Sequence, residues 1–125
     1  MPEDLQEEIK RVAEKIPGCN YVSLVGYDGI TVAQYVIDVE FDVSMCDAEV
    51  SSIMLASKDV KASLDLGIEK ELIWLTDNSF FIVYPLSEEF FIYACLKPEG
   101  SSPGIARLEL NKAKELICKI IHSEK

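Results

Sequence analysis

The residues whose types could support catalysis are few and far apart in this sequence. The only histidine, His122, lies close to the C-terminus, and the sequence indicates no Ser or Cys nucleophile that would act together with it. Nucleophilic catalysis requires such a pair within hydrogen-bond reach. Glycine-rich phosphate-binding motifs of the P-loop and dinucleotide types are absent as well. We therefore expect no catalytic residues and a protein that is not an enzyme.

Four acidic residues have a spacing that resembles a calcium-binding loop. Asp38, Glu40, Asp42 and Glu49 occupy the first, third, fifth and twelfth positions of that register, where the loop places oxygen ligands. The sixth position is Val43, whereas the motif needs a Gly there to make its sharp turn. We predict no metal site in this segment.

The segment 100–104 before the last predicted helix could present free amide groups to an anion. Ser102 as the N-cap and Pro103 as the first helical residue explain the same segment by helix capping. Capping is the simpler interpretation, so we predict no cofactor site.

The net charge limits the partners that this 125-residue chain can have. Its formal charge is −10 at pH 7, whereas nucleic acids and anionic membranes are bound by clustered Lys and Arg. We expect neither nucleic acid nor membrane as a partner. The sequence has no C-x-x-C motif and an acidic start unlike a signal peptide, so a soluble, cytoplasmic protein is expected. Its cysteines are predicted to be small core residues: Cys19, Cys46, Cys95 and Cys118.

Hydrophobic periodicity predicts one α+β domain spanning residues 1–125. Pro17-Gly18 ends an amphipathic first segment, and Asp28-Gly29 gives the strongest signal for a β-hairpin. The element order α-β-β-α-β-β-β-α indicates a five-stranded, mostly antiparallel sheet with helices on both faces. We predict helices at about 4–16, 44–66 and 104–122, and strands at about 21–25, 30–36, 71–76, 80–84 and 90–96.

The second predicted helix has two stripes of apolar or small residues instead of one. Burial of both stripes within one chain is an alternative, but the other two helices must already cover the opposite sheet face. A partner helix, most simply the same helix of a second copy, is the better cover. The stripe expected to pack on the sheet is Cys46, Val50, Ile53, Val60 and Leu64; the opposite stripe is Ala48, Ser52, Leu55, Ala56, Ala62, Ser63 and Leu66.

Three segments in this order resemble the roadblock/dynein light chain family: Ile16-Pro17-Gly18-Cys19, the hairpin residues 27–33 with Asp28-Gly29, and Leu66-Gly67 after the small-residue helix. The similarity covers nearly the whole chain. It implies a roadblock/longin-like fold and a homodimer in which the second helices pair and the third strands, about Glu71 to Thr76, join edge to edge. It also implies a small Ras-like GTPase as a partner, which such proteins regulate without supplying an arginine finger.

The helix stripe and the resemblance together predict a homodimeric, non-catalytic regulator or scaffold of a small Ras-like GTPase. Activation and scaffolding are both open. The alternative is a small-molecule sensor domain of profilin-like architecture. Large residues such as Trp74 and Phe81 argue against it, because they should fill a core and not line a cavity. The predicted dimer interface comprises Ala48, Ser52, Leu55, Ala56, Asp59, Ala62, Ser63, Leu66, Ile73 and Leu75.

Overall fold

A computed structural model describes the backbone of residues 2–123 and the side chains of residues 4–121, so the His122 side chain lies outside the described residues. The predicted order of elements is confirmed, and five antiparallel strands form one sheet in the order β2-β1-β5-β4-β3. No helix within residues 2–123 combines the length and the apolar character needed to cross a membrane. The elements are α1 (Pro2–Lys15), β1 (Cys19–Gly26), β2 (Thr31–Val36), α2 (Val43–Leu64), β3 (Leu72–Leu75), β4 (Phe80–Pro85), β5 (Phe90–Leu96) and α3 (Pro103–Ser123).

The turn between β1 and β2 forms at the Asp-Gly pair, as predicted. Gly29 has a φ of +88°, which residues with a Cβ rarely adopt. The Gly26 N–H donates to the Ile30 carbonyl at 2.9 Å, and the Ile30 N–H donates to Asp28 Oδ1 at 3.0 Å. These bonds close the hairpin and fix the register of β2 against β1.

Helices α1 and α3 together cover one face of the sheet. Their inward-facing apolar residues are buried against alternate residues of the strands, as the period of two in a strand requires. The predicted first helix and last helix are thereby confirmed as the two that share a face. The largest buried members of this layer include Ile9, Val12, Leu110 and Ile117 from the helices and Leu24, Ile82, Ile92 and Leu96 from the sheet.

A cluster of ionised side chains joins α1 to α3. Arg11 donates to Glu8 at 2.7 and 2.9 Å and to Glu109 Oε1 at 2.5 Å, and both glutamates are almost fully buried. The hydrogen bond from Arg11 holds the pKa of Glu109 below its usual value. One guanidinium therefore neutralises two carboxylates that have lost most of their water.

Arg11→Ala is expected to lower the free energy of unfolding by about 3 kcal/mol, because the buried Glu8 loses its cation and the buried Glu109 keeps only the more distant Lys112, at 3.8 Å. Arg107→Ala is the matched control: the Arg107–Glu71 ion pair, at 3.0 Å, is partly exposed and should contribute less than about 1 kcal/mol. Urea unfolding followed by circular dichroism measures both. Equal destabilisation by the two variants would contradict a special role for the buried cluster.

Helix α2 lies alone on the other face of the sheet. Its N-cap is Asp42, whose Oδ1 accepts the N–H groups of Ser44 and Met45 at 3.0 and 3.4 Å. The Ser-x-x-Asp spacing of Ser44 and Asp47 predicts a capping box at the start of this helix. This prediction is wrong, because Asp47 points into the sheet and its carboxylate accepts hydrogen bonds there. The helix also ends at Leu64, before the predicted Leu66, because Asp65 has a left-handed backbone conformation with a φ of 54°.

Only the first half of α2 packs closely on the sheet. Its buried residues stop at Met54, although the helix continues for several more turns. Val60 and Leu64, which we expected to pack on the sheet, are 52% and 64% exposed. An open groove separates this half of the helix from β3, so the strands leave these side chains uncovered. The buried residues of α2 are Val43, Asp47, Val50, Ser51 and Met54.

Candidate functional site

The second half of α2, the segment that follows it and β3 carry many exposed large apolar side chains. Those on the α2 side of the sheet line and flank an open groove of about 420 Å³, whose walls include Ile53, Val60, Ile68 and Leu72, whereas Ile73 and Leu75 point to the other side of β3. Exposed apolar surface of this extent is typical of interaction sites. We call this region the α2–β3 surface; its exposed large apolar residues are Leu55, Val60, Leu64, Leu66, Ile68, Ile73, Trp74 and Leu75.

Strand β3 is an outer strand of the sheet and is hydrogen-bonded to β4 alone. Its sequence, Leu-Ile-Trp-Leu, has no charged residue and no Pro, the usual devices that keep an edge strand from pairing with another chain. Trp74 stacks on Phe81 with ring centroids 5.6 Å apart, yet it is 47% exposed. The edge is therefore free to accept another strand.

All ten residues of the predicted dimer interface are exposed in the chain. Eight of these residues lie on α2 or just after it, beside the groove or on the outer face of the helix. The other two lie on β3 and point to the opposite face of the sheet. Ile73 and Leu75 lie opposite Ile82 and Phe80, on the face that α1 and α3 cover. The predicted residues therefore lie on both sides of the sheet: Ile73 and Leu75 on one side, and the residues of α2 on the other.

Sequence reasoning missed Trp74, Val60 and Ile68. Trp74 was expected in the core, which is wrong, because β3 is the last strand of the sheet and α2 does not cover it. A four-residue apolar strand with no charge on either face was the available signal for an open edge.

A buried polar cluster attaches the first half of α2 to the sheet. The Asp47 carboxylate accepts hydrogen bonds from Tyr93 Oη at 2.5 Å, Thr31 Oγ1 at 2.5 Å and Ser23 Oγ at 3.3 Å. Tyr93 also shares a 2.8 Å hydrogen bond with the hydroxyl of Tyr21. Burial raises the pKa of the Asp47 carboxyl above its usual value, and the hydroxyl donors offset only part of that effect.

Lys58 holds the second half of α2 to the turn before β5. Its Nζ lies 3.7 Å from the centre of the Tyr27 ring and donates to the Glu88 carbonyl at 2.9 Å. The helical spacing of Lys58 beside acidic residues predicts a solvated face. This prediction is wrong, because the ammonium is attracted to the aromatic ring and to the carbonyl. Substitutions of Lys58 are therefore unsuitable as neutral controls.

The structure describes both segments whose sequences resemble ion-binding sites. Ser102 Oγ accepts the Ile105 N–H at 3.3 Å, so the predicted cap of the last helix is confirmed. Within residues 2–123, no group of three or more His, Cys, Asp or Glu side chains is arranged to hold a metal ion. The four cysteines are free; Cys19 and Cys95 are buried, whereas Cys46 and Cys118 are half-buried.

This architecture defines an α+β protein with one antiparallel sheet, two helices on one face, one helix on the other and an open apolar edge. MglB of Myxococcus xanthus superposes with a TM-score of 0.88 at 13% identity, covering 98% of this chain and 90% of that chain. A Roadblock/LC7 domain from Streptomyces avermitilis gives a TM-score of 0.83 at 11% identity over 94% and 97% of the two chains. The chain therefore has the roadblock fold. No protein-family model and no curated protein matches the sequence.

The profilin-like alternative is less well supported by the architecture. Profilin IA of Acanthamoeba castellanii covers 91% of this chain and 96% of its own, with 14% identity, but its TM-score is 0.54. The grooves that involve α2 are open, and the residues beneath the first half of the helix fill a core. The structure thus favours a surface for macromolecules over a ligand cavity.

Proposed function

We propose that this chain forms a homodimer through the α2–β3 surface and acts as a non-catalytic regulator or scaffold of a small Ras-like GTPase. The observation that carries the proposal is the coincidence of an unprotected edge strand and a half-uncovered helix on one side of the molecule. With a two-fold axis beside β3, a second copy would cover the edge strand and the helix in one interface, because β3 pairs with its copy while the two α2 helices meet.

The composition of α2 suits a close helix–helix contact. Ala48, Ser52, Ala56, Ala62 and Ser63 are exposed and small, so two helix backbones can approach closely over them. The exposed apolar residues of the groove then lie beside this contact and gain cover. A stable interface removes about 800 Å² from each partner, so we expect both the edge strand and the helix to take part in it.

The GTPase partner is supported by the family resemblance of the sequence and by the roadblock fold. The chain has two arginines, Arg11 and Arg107, and both are engaged in ion pairs, with Glu8 and Glu109 and with Glu71 respectively. Arg11 is held between two buried glutamates, and we infer that Arg107, whose ion pair is partly exposed, is not an arginine finger either. An activating effect would therefore come from repositioning the GTPase's own residues.

The first experiment is an affinity pull-down from the host lysate with GDP or a non-hydrolysable GTP analogue, read by mass spectrometry. We expect recovery of a Ras-like GTPase that depends on the nucleotide, followed by an effect of the chain on its GTP hydrolysis. Arg107→Ala should leave any acceleration within about twofold, whereas loss of an arginine finger reduces hydrolysis by 10³-fold or more. Recovery of no GTPase with either nucleotide would overturn the proposal.

A further inference from the structure

The sheet has a second open edge, at β2, on the side opposite β3. The strand reads Thr-Val-Ala-Gln-Tyr-Val and, like β3, has neither a charged residue nor a Pro to prevent pairing. The Gln34 carbonyl already accepts a hydrogen bond from outside the sheet, from Gln6 Nε2 at 2.9 Å. This carbonyl therefore faces away from β1 and can be reached by other donors, and a strand that pairs with β2 would displace the Gln6 side chain from it.

Apolar side chains continue along this edge and past its end. Phe41 packs edge-on against Tyr21, with ring centroids 5.9 Å apart, and still keeps much of its surface exposed. Val36 lies opposite Tyr21 on the same face. We call this region the β2 edge; its exposed large apolar residues are Ile30, Val32, Val36, Ile37 and Phe41.

The end of the β2 edge is acidic. Asp38 and Glu40 line an open groove of about 540 Å³ together with Phe41 and Asn78. Within residues 2–123, neither carboxylate has an ion-pair partner. Lys10 also contacts β2, but it lies over the Tyr35 ring, which points to the face that α1 covers. The groove therefore presents negative charge beside an aromatic ring, a combination that suits Lys or Arg.

We propose that the β2 edge binds an extended segment of a partner protein, which adds to the sheet as a strand and places a Lys or Arg in the groove of Asp38 and Glu40. Backbone pairing with β2 holds the segment, and its apolar residues cover Val36 and Phe41. A second copy of this chain is disfavoured as the occupant, because its own edge strands, β2 and β3, carry no Lys or Arg to place in the groove. The proposal does not depend on the GTPase role.

A displayed library of random peptides of about twelve residues, long enough to span β2 and the groove, tests this on the full chain. We expect enriched peptides with alternating apolar residues and a Lys or Arg near one end. A synthetic copy of an enriched peptide should slow hydrogen exchange in residues 31–41. Enrichment of no sequence, or protection confined to α2 and β3, would overturn the proposal.

Two charge-reversed variants separate the groove from general attraction to an acidic protein. Asp38→Lys with Glu40→Lys should weaken the enriched peptide at least tenfold, whereas Glu99→Lys with Glu115→Lys, which changes the net charge equally at exposed sites, should change its affinity less than about twofold. Equal weakening by both pairs would show nonspecific attraction and overturn the proposal. Sedimentation of the free chain, with and without the Asp38→Lys and Glu40→Lys substitutions, shows whether a second copy occupies the groove instead. A dimer that is lost with these substitutions would also overturn the proposal.

Discussion

Leu55→Asp is expected to convert the protein from a dimer to a monomer, whereas Leu108→Asp leaves the dimer intact. The two leucines are 46% and 52% exposed in the single chain, on α2 and α3 respectively, and the chemical change is the same. Only Leu55 lies on the α2–β3 surface, so only there does the new carboxylate become buried without a partner. Such a charge costs several kcal/mol, and about 3 kcal/mol raises the dissociation constant more than hundredfold.

Sedimentation velocity over a range of protein concentrations measures this result directly. Circular dichroism of both variants must match that of the unmodified protein, so that a loss of folding is not mistaken for dissociation. A monomeric unmodified chain at every concentration, or the same dissociation for both variants, would show that the α2–β3 surface does not hold two copies together.

Asp47→Ala is expected to lower the free energy of unfolding by about 2–4 kcal/mol. It removes the shared acceptor of three buried hydroxyls, on Tyr93, Thr31 and Ser23, and leaves space behind the helix. Asp47→Asn should be much milder, because an amide keeps one acceptor and adds a donor that hydroxyls can accept. Asp38→Ala and Asp38→Asn are the controls at an exposed site and should each fall within about 0.5 kcal/mol of the unmodified protein.

The same residue gives a pH dependence of known sign. Because the pKa of Asp47 is higher in the folded chain than in the unfolded chain, the folded state binds more protons between the two values. The stability that Asp47 contributes is fully present below the unfolded pKa of about 3.9 and is lost as pH rises through the raised folded value. Urea unfolding at several pH values, at one protein concentration, should show this loss in the unmodified protein and not in Asp47→Asn. Parallel pH profiles would contradict an ionising Asp47.

The sequence predicted those features of the fold that depend on local chemistry. Asp28-Gly29 formed its hairpin because only a few residues tolerate the backbone of that turn. Ser102 capped α3 because a hydroxyl before a helix start has nearby N–H groups to accept. Helical periodicity also identified the stripe of small residues on α2, and all of its members are exposed in the chain.

The features that could not be predicted depend on what lies beneath each element. Ser44 and Asp47 have the spacing of a capping box, but the position of Asp47 over Tyr93 decided its partners, and Tyr93 is far away in sequence. Val60 and Trp74 look like core residues until the strand order places β3 at an edge and leaves the second half of α2 uncovered. Long-range packing overrides local pattern at these positions.

The strand order β2-β1-β5-β4-β3 also determines how many β2 docking sites the proposed dimer has. Joining two chains at β3 produces one continuous sheet in which the two β2 strands are the outermost strands, at opposite ends. The proposed dimer therefore has two equivalent copies of the proposed β2 docking site, whereas a monomer has one. A partner that carries two copies of the segment on a linker long enough to span the sheet would gain avidity from the second contact, and the monomeric Leu55→Asp variant would lose that gain while keeping each single site.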